Sequence, residues 1–587
     1  MANWFVAAKK ADFNKIADDF SISPMLARII RNRDIIENEA IEKFLYGTIE
    51  DLHKPELLKD IQNGTDIINK KIKEQKRIRI IGDYDIDGVC STYILKKGLL
   101  NCNAFVDTVI PHRIHDGYGL NEQLIEQAYQ DGIDTIITCD NGIAAYEQIA
   151  YANKLGLTVV ITDHHEVPYE EREDKQRMYR LPLAAAVINP KQEMCSYPYK
   201  AICGAVVAYK FVQFLLERMG KDNRILTELL EFAAIATIGD VMPLLDENRI
   251  IVKYGLASMM HTKNKGLNAL INVNGLSDKI LSPYHVGFVL GPCLNATGRL
   301  DTASRALQLF ETTEDAEAAM IAADLKAIND SRKDMTEKGV EKAIQQIEES
   351  TRKKDKVLII YLPDCHESLA GIIAGRIRER YQKPTFVLTK GEEGIKGSGR
   401  SIDAYHMYEE MSKHKELFEK YGGHKLAAGL SMKEENVERF RQLMNQSTLL
   451  NESDFVEKIQ IDIPMPLRFA TKEFADELSM LEPFGVGNQK PLFAQKNVKF
   501  LSGRILGQNK NVGKYIIEDE MQNRFDAVYF GDIEKMNRYI TERFGMEQKL
   551  SLYEGKKTQI QFSICYYPEI NEYRGNKNLQ IIIKDYQ

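Results

Sequence analysis

The chain has 587 residues, enough for about four folding units of ordinary size, and its 44% hydrophobic and 28% charged residues exclude wholesale disorder. Its 78 Lys and Arg against 85 Asp and Glu leave a formal charge of -7, so any nucleic-acid affinity requires a local groove rather than a globally basic surface. The eight cysteines include no C-x-x-C pair, the start MANWFVAAKKADFNK has no apolar signal core, and no segment approaches the length of a membrane span, so a reducing cytoplasmic location without membrane contact is expected.

Residues 1–75 alternate short apolar stretches with charge and predict a helical segment belonging to the catalytic unit that follows. From Arg77, apolar runs end in polar loops and are followed by helical segments: RIRIIGDYDIDG, DTIITCDNG and LTVVITDHH. That alternation predicts a parallel sheet with crossover helices over 76–310, with ligands gathered beyond the carboxyl ends of the strands. Two helices are expected within 204–245, the second ending at Asp240. Residues 311–354 carry no Pro and many helix formers, which predicts a long solvated connector helix. A second α/β unit is expected over 355–450, with Gly-rich loops at GIKGSGRS and YGGHKLAAG, and a small β-barrel or sandwich over 456–587. The fold class is therefore α/β: two α/β domains joined by a long helix, followed by a small β domain.

The chemistry concentrates in Asp83, Asp85 and Asp87 of GDYDIDG, Asp140 of TCDNG, Asp163, His164 and His165 of TDHH, and Asp240 of IGDVMP. Oxygen and nitrogen ligands at successive strand ends suit a pair of divalent cations, and the histidines favour Mn²⁺ over Mg²⁺. Such a pair would activate a water and stabilise an in-line phosphoryl displacement. Taken singly, Asp and Gly after a strand are turn formers. Three acids within GDYDIDG, however, would repel strongly without a cation. The segment has no phosphate-loop signature, and its acids would oppose a bare phosphate.

These segments resemble the successive motifs of the DHH phosphoesterase family. HDGYGL, GPCLNATGRL, GSGRS, YGGHKLAAG and EPFGVGNQKPLF further resemble the RecJ branch, the single-stranded-DNA-specific exonucleases. The resemblance covers nearly the whole chain and implies a DHH domain, a DHHA1 domain and an oligonucleotide-binding (OB-like) barrel. It also implies 5′ to 3′ degradation of single-stranded DNA to 5′-mononucleotides, in recombination and repair.

Laid onto matching positions, the resemblance makes Asp85, Asp87, Asp140, His164 and Asp240 ligands of two Mn²⁺ or Mg²⁺ ions. Asp83 and Asp163 become carboxylates that orient them, and His165 faces the scissile phosphate. Asn295, Arg299, Arg376, Ser398, Gly399, Arg400 and His424 are expected to face substrate, and the barrel is expected to present Arg504, Lys510, Lys514 and Tyr515 to DNA. A single-stranded-DNA-binding protein and a RecQ-type helicase are the implied partners.

Two departures stand out. Cys293 occupies a position where Arg is usual, and CHESLAGIIAGR replaces a Trp-His-Glu-Gly start. Cys293 is read as lying in a loop, where the usual Arg would touch a phosphate. The alternatives are a phosphodiesterase for short oligonucleotides or cyclic dinucleotides, and a silent nucleic-acid-binding scaffold. Retention of all the expected acids and histidines argues against the scaffold.

Overall fold

The computed structural model describes residues 2–112, 119–171, 177–300, 302–391, 394–507, 510–573 and 575–587. Most of the HDGYGL motif, residues 115–118, therefore lies outside the described residues. The chain divides into two compact units, one formed by Ile49–Phe455 and the other by Met1–Thr48 with Val456–Gln587.

In the Ile49–Phe455 unit, five parallel strands stand in the order Phe105–Val109, Arg77–Ile81, Thr135–Cys139, Thr158–Thr162, Ala186–Ile188. Ile78, Ile80, Ile136, Ile137, Val159 and Val160 are all buried, as a parallel sheet covered on both faces requires. The strand order reverses between Arg77–Ile81 and Thr135–Cys139, which opens a crevice beyond their carboxyl ends. Helix Ile86–Asn101 starts there, with Asp85 as its N-cap accepting from the N–H groups of Asp87 and Gly88, each at 3.0 Å. Helices Gly204–Met219 and Ile225–Gly239 are apolar on nearly every side and lie within the core, and the second ends at Asp240.

The connector helix runs Asp315–Glu348, its 34 residues spanning about 50 Å. It is not solvated on all sides. Ile321, Ala322 and Leu325 pack into the core of the first sheet domain, whereas Ala343 and Ile347 pack into that of the second. One helix thus supplies apolar anchors to two cores, which a mostly polar composition concealed.

The second sheet has the order Lys420–Gly423, Ala427–Met432, Gly394–Arg400, Thr385–Gly391, Leu358–Tyr361. GIKGSGR is therefore a strand rather than a loop, because it pairs antiparallel on both sides, with Thr385–Gly391 and Ala427–Met432. YGGHKLAAG is likewise a hairpin whose strands flank His424.

In the other unit, strands Phe493–Leu506, Val512–Glu518, Arg524–Tyr529, Asn576–Tyr586 and Gln561–Tyr573 form a closed five-stranded barrel, since the first also pairs with the last. Phe500, Tyr515, Phe562 and Tyr566 fill its interior. Residues 1–48 belong with this barrel unit, a correction to the expected boundary. Strand Asn3–Val6 pairs with Lys458–Ile461, Trp4 Nε1 donates to Asp585 at 2.7 Å, and Arg33 Nε donates to Asn488 at 2.7 Å. Asn488, from EPFGVGNQKPLF, is buried and donates to the carbonyls of Leu481 and Pro483, so this motif organises the fold.

Candidate metal and phosphodiester site

The strand ends bring the acidic residues and His164 together. Three overlapping sets of ligand atoms lie within 4.8 Å of one another: Asp83, Asp85 and Asp140; Asp140, His164 and His165; and Asp87, His164 and Asp240. His164 Nε2 is 3.0 Å from Asp140 Oδ1, 3.5 Å from Asp87 Oδ2 and 3.8 Å from Asp240 Oδ2. Asp83, Asp87, Asp140, Asp163 and His164 are buried.

The carboxylates do not play the same part. Asp163 accepts on Oδ1 from the backbone N–H of His164 and of His165 and lies 2.8 Å from His165 Nδ1, while its Oδ2 accepts from Ile143 N–H at 2.9 Å. Both of its oxygens are committed, so it orients the histidine pair. Asp87 is anchored while staying in a ligand set: its oxygens accept from the N–H groups of Gly204 and Ala205, each at 2.7 Å, at the start of helix Gly204–Met219. That helix end carries partial positive charge and suits a carboxylate. Gly204 is required there, because a Cβ at this position would come within 2.9 Å of Asp140 Oδ1. Asp83, expected to stand behind the ligands, shares a set of potential ligand atoms with Asp85 and Asp140.

The electrostatics fit a cation. Burial, and then the charges of Asp87 and Asp85, push Asp140 well above the usual carboxylate range and Asp240 up to about 8. Burial and Asp87 likewise raise Asp85. Burial pushes His164 down, which keeps it neutral and able to ligate. Asp240 Oδ2 and His164 Nδ1 are buried without a hydrogen-bond partner. Buried oxygens that repel one another and a neutral imidazole are the donor set of a divalent transition metal. His165 behaves oppositely: burial opposes its charge, but the bond to and charge of Asp163 outweigh this and raise it to about 9.

The remaining site residues divide. Ser398, Gly399 and Arg400 lie on strand Gly394–Arg400, where Arg400 donates to Ser398 Oγ and to the Gly399 carbonyl. Gly371 opens the space beside them, since a Cβ there would meet Arg400 Nη2 and Ser398 Oγ, each at 2.9 Å. Arg376 is exposed on the same helix as Gly371, Ala370–Tyr381. Arg332, which the motifs did not reveal, has its guanidinium pushed down by burial and by the charge of Arg376. Two neighbouring guanidiniums favour an anion. His424 is exposed, and its Nδ1 accepts from Leu426 N–H at 3.3 Å.

Asn295, Arg299 and Cys293 lie on a helix, Gly291–Leu300, and not in a loop. Asn295 Oδ1 accepts from Ile86 N–H at 2.9 Å, bracing the acidic loop, and Arg299 donates to the Ser368 carbonyl at 2.8 Å. Cys293 has no exposed surface; its thiol donates to the Val289 carbonyl and accepts from Asn329, which corrects the expected phosphate-facing role. On the barrel, Lys510, Lys514 and Arg504 lie at or near the surface, with Lys514 3.7 Å from Asp526. Tyr515 is 1% exposed, beside Met536 and Tyr553, and cannot stack on DNA, another correction. Its strand alternates faces, so Tyr515 points inward when Lys514 points out.

Sequence reasoning also missed the pair Lys210 and Glu247, both fully buried and 3.1 Å apart, with Tyr197 donating to Glu247 at 2.6 Å. It joins the helix that holds Asp87 to helix Asp246–Met259, which follows Asp240.

A crevice at the strand-order reversal, lined with acids and paired histidines, defines a metal-binding protein of the DHH class. Residues 77–237 match the DHH family N-terminal domain, 354–448 the DHHA1 domain and 461–585 the RecJ OB domain. The chain is 34% identical over 574 residues to the single-stranded-DNA-specific exonuclease RecJ of Bacillus subtilis (strain 168), covering 97% of this chain and 69% of that protein. It is 30% identical over 608 residues to the protein of the same name from Escherichia coli (strain K12), covering 98% of each. The chain belongs to the RecJ family. The Mn²⁺ complex of RecJ from Thermus thermophilus shares its fold, with a TM-score of 0.80 at 24% identity, covering 100% of this chain and 79% of that one. A manganese-bound exonuclease RecJ aligns with a TM-score of 0.57 at 30% identity, covering 66% and 94%.

Proposed function

We propose that this protein is a metal-dependent exonuclease that degrades single-stranded DNA from the 5′ end to 5′-mononucleotides during recombination and repair. The observation that carries the reading is the cluster of buried, mutually repelling carboxylates around His164. Asp85, Asp87, Asp140, His164 and Asp240, with Asp83 beside them, would hold two Mn²⁺ or Mg²⁺ ions, which when bound supply Lewis acidity at the phosphate and lower the pKa of the attacking water.

The chain's own residues do the rest. Asp87 anchors the acidic loop to helix Gly204–Met219 and thereby fixes the spacing of its neighbours. Asp163 holds His165 through Nδ1, and the raised pKa keeps the ring protonated at neutral pH, able to donate to a phosphate oxygen. Ser398, Arg400 and Arg376 would receive the terminal phosphate of the strand. The OB barrel would bind the strand through Arg504, Lys510 and Lys514. Arg504 sits directly opposite Lys514 in the ladder, a like-charge pair that an intervening phosphate would relieve. No helix of the described residues is long and apolar enough to cross a membrane. The protein would work in the cytoplasm beside a single-stranded-DNA-binding protein and a RecQ-type helicase.

The test is digestion of 5′-labelled and 3′-labelled single strands with Mn²⁺, beside blunt duplex, RNA and cyclic dinucleotides. The expected result is immediate release of labelled mononucleotide from the 5′-labelled strand only, with blunt duplex resistant. Equal rates on blunt duplex, or cleavage confined to dinucleotides, would overturn the proposal.

A further inference from the structure

The helix that braces the acidic loop begins well before Gly291. It starts at Pro283, makes one wide turn over Val286–Leu290 and continues through Gly291–Leu300. Wide turns of this kind are concentrated at functional sites. Its inner residues Val286, Leu290, Cys293 and Leu294 are buried, as a core-facing stripe must be. Tyr284 and Phe288, however, are 63% and 68% exposed, and their rings stack on each other with centroids 5.1 Å apart and planes 26° apart. Two large aromatic rings left in water one turn apart forgo burial that each could gain in a core.

Their position gives them a use. Gly287 abuts Ile238, near the end of the helix that Asp240 caps, and Gly291 abuts Ile86, between Asp85 and Asp87. Asn295, on the same helix, accepts from Ile86 N–H. The seven-residue separation of Phe288 and Asn295 corresponds to about 10 Å of helix, the length of roughly three stacked nucleotides. Val241, which follows Asp240 directly, is also exposed, and at φ 60° it is a β-branched residue in the left-handed region. Ile280, just before the helix, is exposed too. An apolar rim thus continues from the metal crevice onto one helix.

We propose that Tyr284 and Phe288 form a base-stacking platform for the single strand just outside the metal crevice, with Phe288 the nearer contact; this rests on the single-stranded-DNA reading above. Every base offers a π face, so the platform is tolerant of sequence. It also requires an unpaired base, so it discriminates against duplex where the strand enters.

The experiment uses the full chain with Mn²⁺ and compares wild type, Phe288→Ala, Tyr284→Ala and Phe288→Trp on single strands, intact or carrying one abasic site at successive positions from the 5′ end. Phe288→Ala should raise KM about 5- to 50-fold, the loss falling on KM rather than kcat, and Phe288→Trp should restore it. One abasic position should cost wild type a similar factor and cost Phe288→Ala almost nothing. Melting temperatures check that each variant is folded. An unchanged KM in folded Phe288→Ala, or equal abasic penalties in wild type and variant, would overturn the platform while leaving the nuclease reading in place. A change in sedimentation with unchanged KM would assign the rings to contact between copies and overturn it as well. A wild-type chain that neither binds nor cuts single strands would sink both readings.

Discussion

At the carboxyl end of the first sheet, Asp83, Asp87, Asp140 and His164 are buried within a few ångströms of one another, more carboxylates than the neighbouring histidines can balance. On the barrel, Lys499 and Arg524 lean from the surface onto Glu518, Lys514 approaches Asp526 in the open, and Phe500, Tyr515 and Phe562 are buried. The first arrangement stores unfavourable electrostatic energy that a cation releases. The second stores almost none, because exposed pairs contribute little and screen readily. On the proposed function, chemistry therefore belongs to the sheet, whereas the barrel would contribute affinity in small increments.

Neutralising the sheet's charges gives the largest expected effects and separates the roles of its acids. Asp83→Asn and Asp87→Asn should both lower turnover by several orders of magnitude while leaving single-stranded DNA binding within a few-fold. Their effects on the metal-free protein should have opposite signs. Asp83→Asn removes repulsion and should raise the melting temperature. Asp87→Asn removes repulsion too, but it sets an amide against the N–H groups of Gly204 and Ala205, a loss of about 1.5–3 kcal/mol that should outweigh the relief. Calorimetry without metal reads both, and a destabilised Asp83→Asn would return Asp83 to a bracing role.

Cys293→Arg probes the packed layer beneath the site. A guanidinium inserted at a fully buried thiol must overpack or bury a charge, at about 1–3 kcal/mol or more. Thermal stability should fall while the dependence of DNA affinity on salt stays unchanged. A steeper salt slope at full stability would reinstate a phosphate contact at this position.

Most acids of the site were legible in the sequence because GDYDIDG, TCDNG and TDHH each follow a strand directly and so declare both chemistry and place, whereas Asp240 ends a helix. How the acidic loop is anchored was not legible. That depends on Gly204 and Ala205, more than a hundred residues from Asp87, supplying N–H groups to its carboxylate. Cys293 and Tyr515 failed for a related reason: a one-residue change of face along a helix or strand decides between core and solvent, and neither the Gly-rich context nor the neighbouring lysines fixes it. Residues 1–48 read as helical, but their attachment to the barrel unit rests on long-range pairs such as Trp4 with Asp585.

The smallest effects belong to the barrel. Lys510→Ala, Lys514→Ala and Arg504→Ala should each weaken single-stranded DNA binding uniformly across sequences and flatten the plot of log K against log salt by at most about 0.7. Lys514→Ala should have the least effect, because Asp526 already offsets its charge. Fluorescence anisotropy at several salt concentrations measures this, and a loss of turnover without a change in slope would move these residues out of the DNA interface.

The central claim, that the acids and His164 form a metal site, is tested most directly by Mn²⁺ binding and thermal unfolding measured together across pH. Asp240 is raised to about 8 and His165 to about 9, so the metal-free fold binds protons more tightly than the unfolded chain; their stabilisation is present at low pH and lost as pH rises through those values. Mn²⁺ needs the carboxylates ionised, and at a hundred times its Kd it adds about 2.7 kcal/mol. The account predicts two Mn²⁺ per chain and a Mn²⁺-induced rise in melting temperature that grows from pH 6 to pH 8. Absence of bound Mn²⁺, or a thermal shift that shrinks as pH rises, would contradict it.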